Sequence, residues 1–230
     1  MTAKTKTSSA AGEAERDTKL RILDVAERMI GMRGVRLISI REITRESGVN
    51  LAAINYHFGS KRRLVVEVFV RRITVLNEER MAMLDEAEAA AEGGAPTVEA
   101  ILEASIKPLL HTDERERNRY THTAKMISRF FLDPDLEVVA LLKPHFLPIK
   151  ERLLKMLGRA LPGLGKDELE WRTSHVFGLL NHSMLFADLR CHAMGKNLNV
   201  KKEMRRLVTF CAAGLRAAPD AGSSHHQSRA

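Results

Sequence analysis

Residues 48–61, GVNLAAINYHFGSK, gather side chains that hydrogen-bond or carry charge among few bulky apolar ones. Asn50 and Asn55 each offer a paired acceptor and donor, Tyr56 and His57 are polar rings, and Lys61 is a cation. So little apolar bulk makes no core of its own, so the polar and aromatic groups face something outside the chain. Amides and polar rings are the types that meet base edges and phosphate oxygens. Lys61 opens a helix, whose first turn presents free N–H groups and a partial positive charge, a ready anion site.

Short helices must hold these groups. Apolar residues three and four apart predict a first helix over about 17–33, with Leu20, Leu23, Ala26, Glu27 and Ile30 along one side and Gly34 as its C-terminal cap. Ser39 reads as the N-cap of SIREITRES, with Glu42 three residues on to complete a capping box. Asn50 caps LAAINYHF, and Ser47-Gly48-Val49 is the turn between the two, where Gly48 takes positive φ at low cost. Two short helices so joined form a helix-turn-helix. Ala52 and Ala53 stay small where backbones approach, and Ile40, Ile43, Val49, Ile54 and Phe58 lock the pair to the first helix. Ser60 caps a long helix from Lys61 to about Ala91, with Leu64, Val68, Phe69, Ile73, Leu76 and Leu84 as its buried stripe.

After the loop EGGAPT, helices are expected at about 97–110, 114–131, 135–157, 166–194 and 200–217, with Pro108 ending the first and Pro144 and Pro148 kinking or splitting the third. The expected fold is all-α: a three-helix helix-turn-helix domain at 15–64, a helical domain at 65–218, and mobile tails at 1–14 and 219–230.

The charge is distributed as that division suggests. Net charge is +8, and residues 1–63 hold 13 Lys/Arg against 7 Asp/Glu, while 64–230 hold 24 against 22. A basic first quarter points to a polyanion, and the near-neutral remainder to a different partner. Two distant cysteines, Cys191 and Cys211, give no disulfide framework, and with no apolar leader segment the expected setting is a reducing cytoplasm. No run of about 18 apolar residues suggests a membrane span.

A helix-turn-helix lays its second helix in the major groove while flanking groups hold phosphates. The same geometry also serves packing alone, with Tyr56 and His57 as a local pair. The run SIREITRESGVNLAAINYHFGSKRRL resembles the DNA-binding segment of the tetracycline-repressor family of bacterial regulators, over about residues 17–66. By that resemblance Ser39, Asn50, Tyr56, His57 and Lys61 meet phosphates, with Ala52, Ala53 and Asn55 nearer the bases. Many members carry Tyr where this chain has Asn55; asparagine pairs well with adenine N6 and N7. The wording NLAAINYHFGSK is similar to a subgroup that includes fatty-acid-responsive regulators.

The resemblance implies a homodimer on a near-palindromic operator, released by a small effector. Residues 166–194 and 200–217 are the expected interface, with Trp171, Phe177, Leu180, Met184, Leu207, Phe210 and Leu215 as apolar surface. A pocket for an apolar effector, a fatty acid or acyl-CoA among the choices, is expected from Met126, Arg129, Phe130, Phe146, Phe177, Asn181 and Met184, with Phe131, Leu141 and Leu147 as further lining and His122, His145 and His182 as further polar groups. His175, His182, Cys191 and His192, like His225 and His226, lack metal-ligand spacing, so no metal or other cofactor is implied. No GxSxG, Walker lysine loop or strand-borne GxGxxG suggests an enzyme. Two alternatives stay open: a nonspecific DNA-binding or structural helical protein, and a ligand-independent activator of the same fold.

Overall fold

The computed structural model describes residues 4–109, 123, 125–186 and 199–218, and every regular element among them is a helix. In chain order these are α1 (Lys4–Arg33), α2 (Ile40–Ser47), α3 (Leu51–Phe58), α4 (Lys61–Ala90), α5 (Val98–Ile106) with a 3₁₀ turn at Lys107–Leu109, α6 (125–132), α7 (Leu136–Ala160), α8 (Lys166–Leu185) and α9 (Val200–Arg216). Most of the expected 114–131 helix, residues 187–194, the tail 219–230, His122, Cys191 and His192 lie outside the described residues.

Two compact units form: residues 1–75 with 118–145, and 76–117 with 146–230. The expected boundary at 64/65 falls inside α4, whose first half packs with the helices before it. In the first unit Ile22, Ala26, Met29 and Ile30 of α1 meet Ile43, Ile54 and Phe58 of the short helices in one core, closed by Leu64, Val68 and Phe69 of α4. The expected stripe of α4 is buried throughout, whereas Leu20 of α1 is half exposed. α1 starts at Lys4, well before the apolar stripe, so part of the expected tail is helical. Its opening, KTKTSSAAGEAERD, carries no apolar periodicity, and a helix there follows from alanine and charged-residue propensity.

The second unit is built from the end of α4, α5, the end of α7, α8 and α9. Leu102, Ile106, Leu153, Leu157, Leu180 and Leu215 fill its core. Ion pairs tie its rim: Arg152 meets Asp85 at 2.8 Å and also Glu88, which Arg159 joins, and Arg216 grips Glu99 through two bonds of 2.5 Å. Arg172, itself buried, donates to the carbonyls of Leu215 and Ala217 and so ends α9 against α8.

Pro144 and Pro148 neither split α7 nor end it; the helix is continuous from Leu136 to Ala160. Each proline frees the carbonyl four residues before it, at Ala140 and Pro144. Residues 140, 144 and 148 share one exposed face, so the freed carbonyls lie on the solvent side of the helix.

Candidate functional site

The helix-turn-helix is fixed by local chemistry. Ser39 Oγ accepts the Glu42 N–H at 3.2 Å, and the Glu42 carboxylate accepts from both the N–H and the hydroxyl of Ser39, at 2.9 and 2.8 Å. Arg33 adds a bond of 2.8 Å to the same carboxylate. The Arg33 guanidinium and then the Ser39 hydroxyl hold Glu42 down to about 2. Gly48 sits at φ 64°, a left-handed conformation favouring glycine, and its N–H reaches the Thr44 carbonyl to end α2. Asn50 Oδ1 caps α3 by accepting from Ala53 N–H at 2.8 Å, which leaves its amide N–H groups facing outward. Gly59, at φ 71°, closes α3 onto the Asn55 carbonyl, and Ser60 Oγ accepts from Arg63 N–H to start α4.

With Ile54 and Phe58 buried as anchors, α3 presents Leu51, Ala52, Asn55 and Tyr56 outward; Tyr56 is 74% exposed. Ala53, His57 and Lys61 are half-buried at the edge of that face, and Ser39 and Asn50 are exposed beside it. The rings of Tyr56 and His57 meet edge-on at 5.2 Å, a local contact that orients both. Burial pushes the Lys61 ammonium below its ordinary value, opposed by Asp135 and Glu42 nearby. Of the eight residues expected to meet DNA, Asn50, Ala52, Ala53, Asn55, Tyr56 and His57 lie on α3 and its N-cap, Lys61 opens α4, and Ser39 caps α2. Sequence reasoning passed over Arg41, Arg45 and Arg63, which are exposed near these caps and form no ion pair among the described residues. Arg36 and Arg62 are instead paired with Asp133 and Glu137.

The same unit holds a buried charge cluster. Glu27, 4% exposed, accepts from Arg71 at 2.6 Å, from Arg72 Nε at 2.8 Å and from the Thr123 hydroxyl at 3.0 Å. Glu27 sat in the apolar stripe of α1 in the sequence, the only sign that it is buried.

The residues expected to line an effector pocket are divided between the units. Met126 and Phe130 are buried in the first, where Phe130 packs on Phe69 with ring centroids 4.7 Å apart, and Arg129 is exposed there. Phe146, Phe177, Asn181 and Met184 belong to the second. Phe131, Leu141 and Leu147, expected as further lining, are exposed instead. The second unit has a small cavity of about 10 Å³ between α5, α7, α8 and α9, walled by Leu102, Ser105, Ile106, Leu153, Leu157, Thr173, Val176, Phe177 and Leu215. Of the expected lining residues, Phe177 is the one in its wall. Arg80, 6% exposed, is not in that wall but bonds to one of its residues, donating through Nε to the Ser105 carbonyl at 2.9 Å. Burial pushes its guanidinium down to about 10. Arg80 occupies the stripe register of α4, four residues after Leu76 and four before Leu84, which is the signal that would have found it.

On α8 and α9, Leu180, Met184 and Leu215 are buried within the protomer, while Trp171 and Phe210 are exposed. Of the apolar surface expected for a dimer, those two rings remain most open to a partner. His175 and His182 stack on Trp171 and Phe186, with centroids 4.1 and 4.7 Å apart. Among the described residues no cluster of three or more His, Cys, Asp or Glu is arranged to hold a metal, and no helix is long and apolar enough to cross a membrane.

Two family profiles match the chain: "Bacterial regulatory proteins, tetR family" over residues 22–68 and "Tetracyclin repressor-like, C-terminal domain" over 103–214. Among curated proteins none matches. Solved structures share the fold. The fatty acid degradation regulator FadR from Bacillus halodurans aligns at TM-score 0.63 and 14% identity, covering 87% of this chain and 97% of that one. The regulator PfmR from Thermus thermophilus gives 0.56 at 17%, covering 87% and 100%. A transcriptional regulator from Aquifex aeolicus gives 0.53 at 20%, covering 84% and 96%. With the helix-turn-helix and the helical unit after it each matched by its own profile, this chain belongs to the TetR family of bacterial transcriptional regulators.

Proposed function

We propose that the protein is a cytoplasmic homodimeric repressor that reads a near-palindromic operator through α3 and is released by a small apolar effector. The exposed face of α3 carries this reading: Asn55 and Tyr56 point outward from a helix pinned at both ends, with Lys61, Arg41, Arg45 and Arg63 around it. Phosphate contacts by such cations supply affinity and register, and Asn55 supplies base discrimination at the centre. Ser39, Asn50, Tyr56, His57 and Lys61 hold backbone, while Ala52 and Ala53 let the helix approach the bases.

Trp171 on α8 and Phe210 on α9 are the apolar anchors of the dimer, which sets two copies of α3 about one DNA turn apart. α4 is the lever, since it starts at Lys61 in the DNA-reading unit and continues into the second. Linkage then requires DNA to weaken effector binding by the factor with which effector weakens DNA binding. The fold shared with a fatty acid degradation regulator supports a long-chain fatty acid or its acyl-CoA as the first effectors to try.

Retention of sheared genomic DNA on the purified protein, with and without a long-chain fatty acid or its acyl-CoA, tests this directly. A few recurring near-palindromes, bound about 10³-fold or more above bulk DNA, and lost with effector, are expected. Diffuse retention that falls with salt but shares no sequence would replace the regulator with a nonspecific binder.

A further inference from the structure

We propose that the second unit takes its effector as an apolar carboxylate, with the carboxylate on Arg80 and the hydrocarbon body in the cavity against Phe177; this rests on reading that unit as the effector domain. Arg80 is buried to 6% exposure, yet it forms no ion pair among the described residues. Its protein acceptors are the Ser105 carbonyl at 2.9 Å and, stretched to 3.4 Å, the Asn77 amide oxygen. Neither brings negative charge, and the rest of the guanidinium fork has no acceptor among the described residues. A buried cation without a counter-ion is costly, and a planar fork matches a carboxylate through two parallel bonds. The ligand would bring the missing charge.

Ser105 joins the two halves of the site. Its carbonyl holds Arg80, and the same residue stands in the cavity wall with Leu102, Ile106, Leu157, Val176 and Phe177. The hydroxyls in that wall are already engaged, Ser105 with the Ile101 carbonyl at 2.9 Å and Thr173 with that of Leu169 at 2.7 Å. The wall therefore offers a ligand hydrocarbon contact and no free hydroxyl donor. One guanidinium balances one carboxylate; a phosphate dianion would bring a second charge with nothing in the wall to meet it. The free volume, about 10 Å³, is near that of one water probe. Filling it must push α5, α7 or α8 side chains apart, which gives binding a structural consequence.

Full-length protein is titrated calorimetrically with dodecanoate below its micellar range and with dodecanoic acid methyl ester, without DNA. The acid is expected to bind about tenfold or more tighter, the factor for one charge-assisted bond to carboxylate. Arg80→Met keeps the apolar stem and should erase that preference, while Leu157→Trp fills the cavity and should end binding of both probes. A dodecanoate analogue carrying a diazirine beside its carboxylate should label residues 76–84 or 101–109 of the unaltered protein, which needs no variant to fold. Equal affinity for acid and ester, a preference that survives Arg80→Met, or labelling elsewhere would each overturn the site. Failure here leaves selective DNA retention intact; selective binding of the acid without selective DNA retention would instead sink the regulator reading and keep the site.

Discussion

Glu27 in the first unit and Arg80 in the second are both charged side chains buried on helices beneath apolar neighbours, yet their surroundings differ. Glu27 is saturated by two arginines and a threonine hydroxyl. Arg80 has a carbonyl and a distant amide. A buried charge whose partners are all supplied by the chain ties its own unit together, and under the function proposed above a rigid platform is what α3 needs to present Asn55 in register. A buried charge that finds no counter-ion among the described residues leaves its unit open to whatever supplies one. The first arrangement suits reading a fixed surface, and the second suits sensing.

Removing the saturated charge gives the largest effect. Glu27→Leu leaves Arg72 without its carboxylate and Arg71 with Asp24 alone, both half-buried, and should cost about 3–5 kcal/mol of stability by denaturant unfolding; a loss below about 1 kcal/mol would show that water already screens the cluster. Asn55→Ala should cost about 1–3 kcal/mol at one operator position with nonspecific binding nearly unchanged, and uniform loss on all sequences would make it a backbone contact. Arg80→Met should leave stability within about 1 kcal/mol or raise it, since an unpaired buried charge is replaced by an apolar stem of like reach. A drop as large as that of Glu27→Leu would erase the contrast between the two sites. Lys61→Ala should lower the slope of log affinity against log salt by about one unit, and an unaltered slope would remove it from the phosphate contacts. Smallest is the response of the capping box to acid. Glu42 is held down to about 2, so its contribution is whole above the unfolded value and fades as pH falls towards 2; Glu42→Gln should flatten that acid limb of the melting curve.

Legibility followed distance along the chain. The capping box of Ser39 and Glu42, the left-handed Gly48, the Asn50 cap and the Ser60 cap each join residues three to five apart, and each was readable from spacing alone. The helical stripe of α4 was equally plain, because 3.6-residue periodicity reports burial without naming the partner. What covers a stripe was not readable. Met184, Leu180 and Leu215 were expected on a dimer face and are covered within the protomer, while Trp171 and Phe210 on the same helices stay open. The prolines of α7 were expected to kink or split the helix; it is not split, and both lie on its exposed face, a placement no local pattern shows.

The sequence by itself determined an all-helical chain, a capped helix-turn-helix and the residues on its outer face, because caps, turns and periodicity are set by neighbours within one or two helical turns. Only the tertiary structure decided which buried charge is neutralised. Glu27 finds its partners 44, 45 and 96 residues away, and Arg80 finds no carboxylate among the described residues. Pairing of buried charges depends on which distant segments the fold brings together, and no local pattern encodes that.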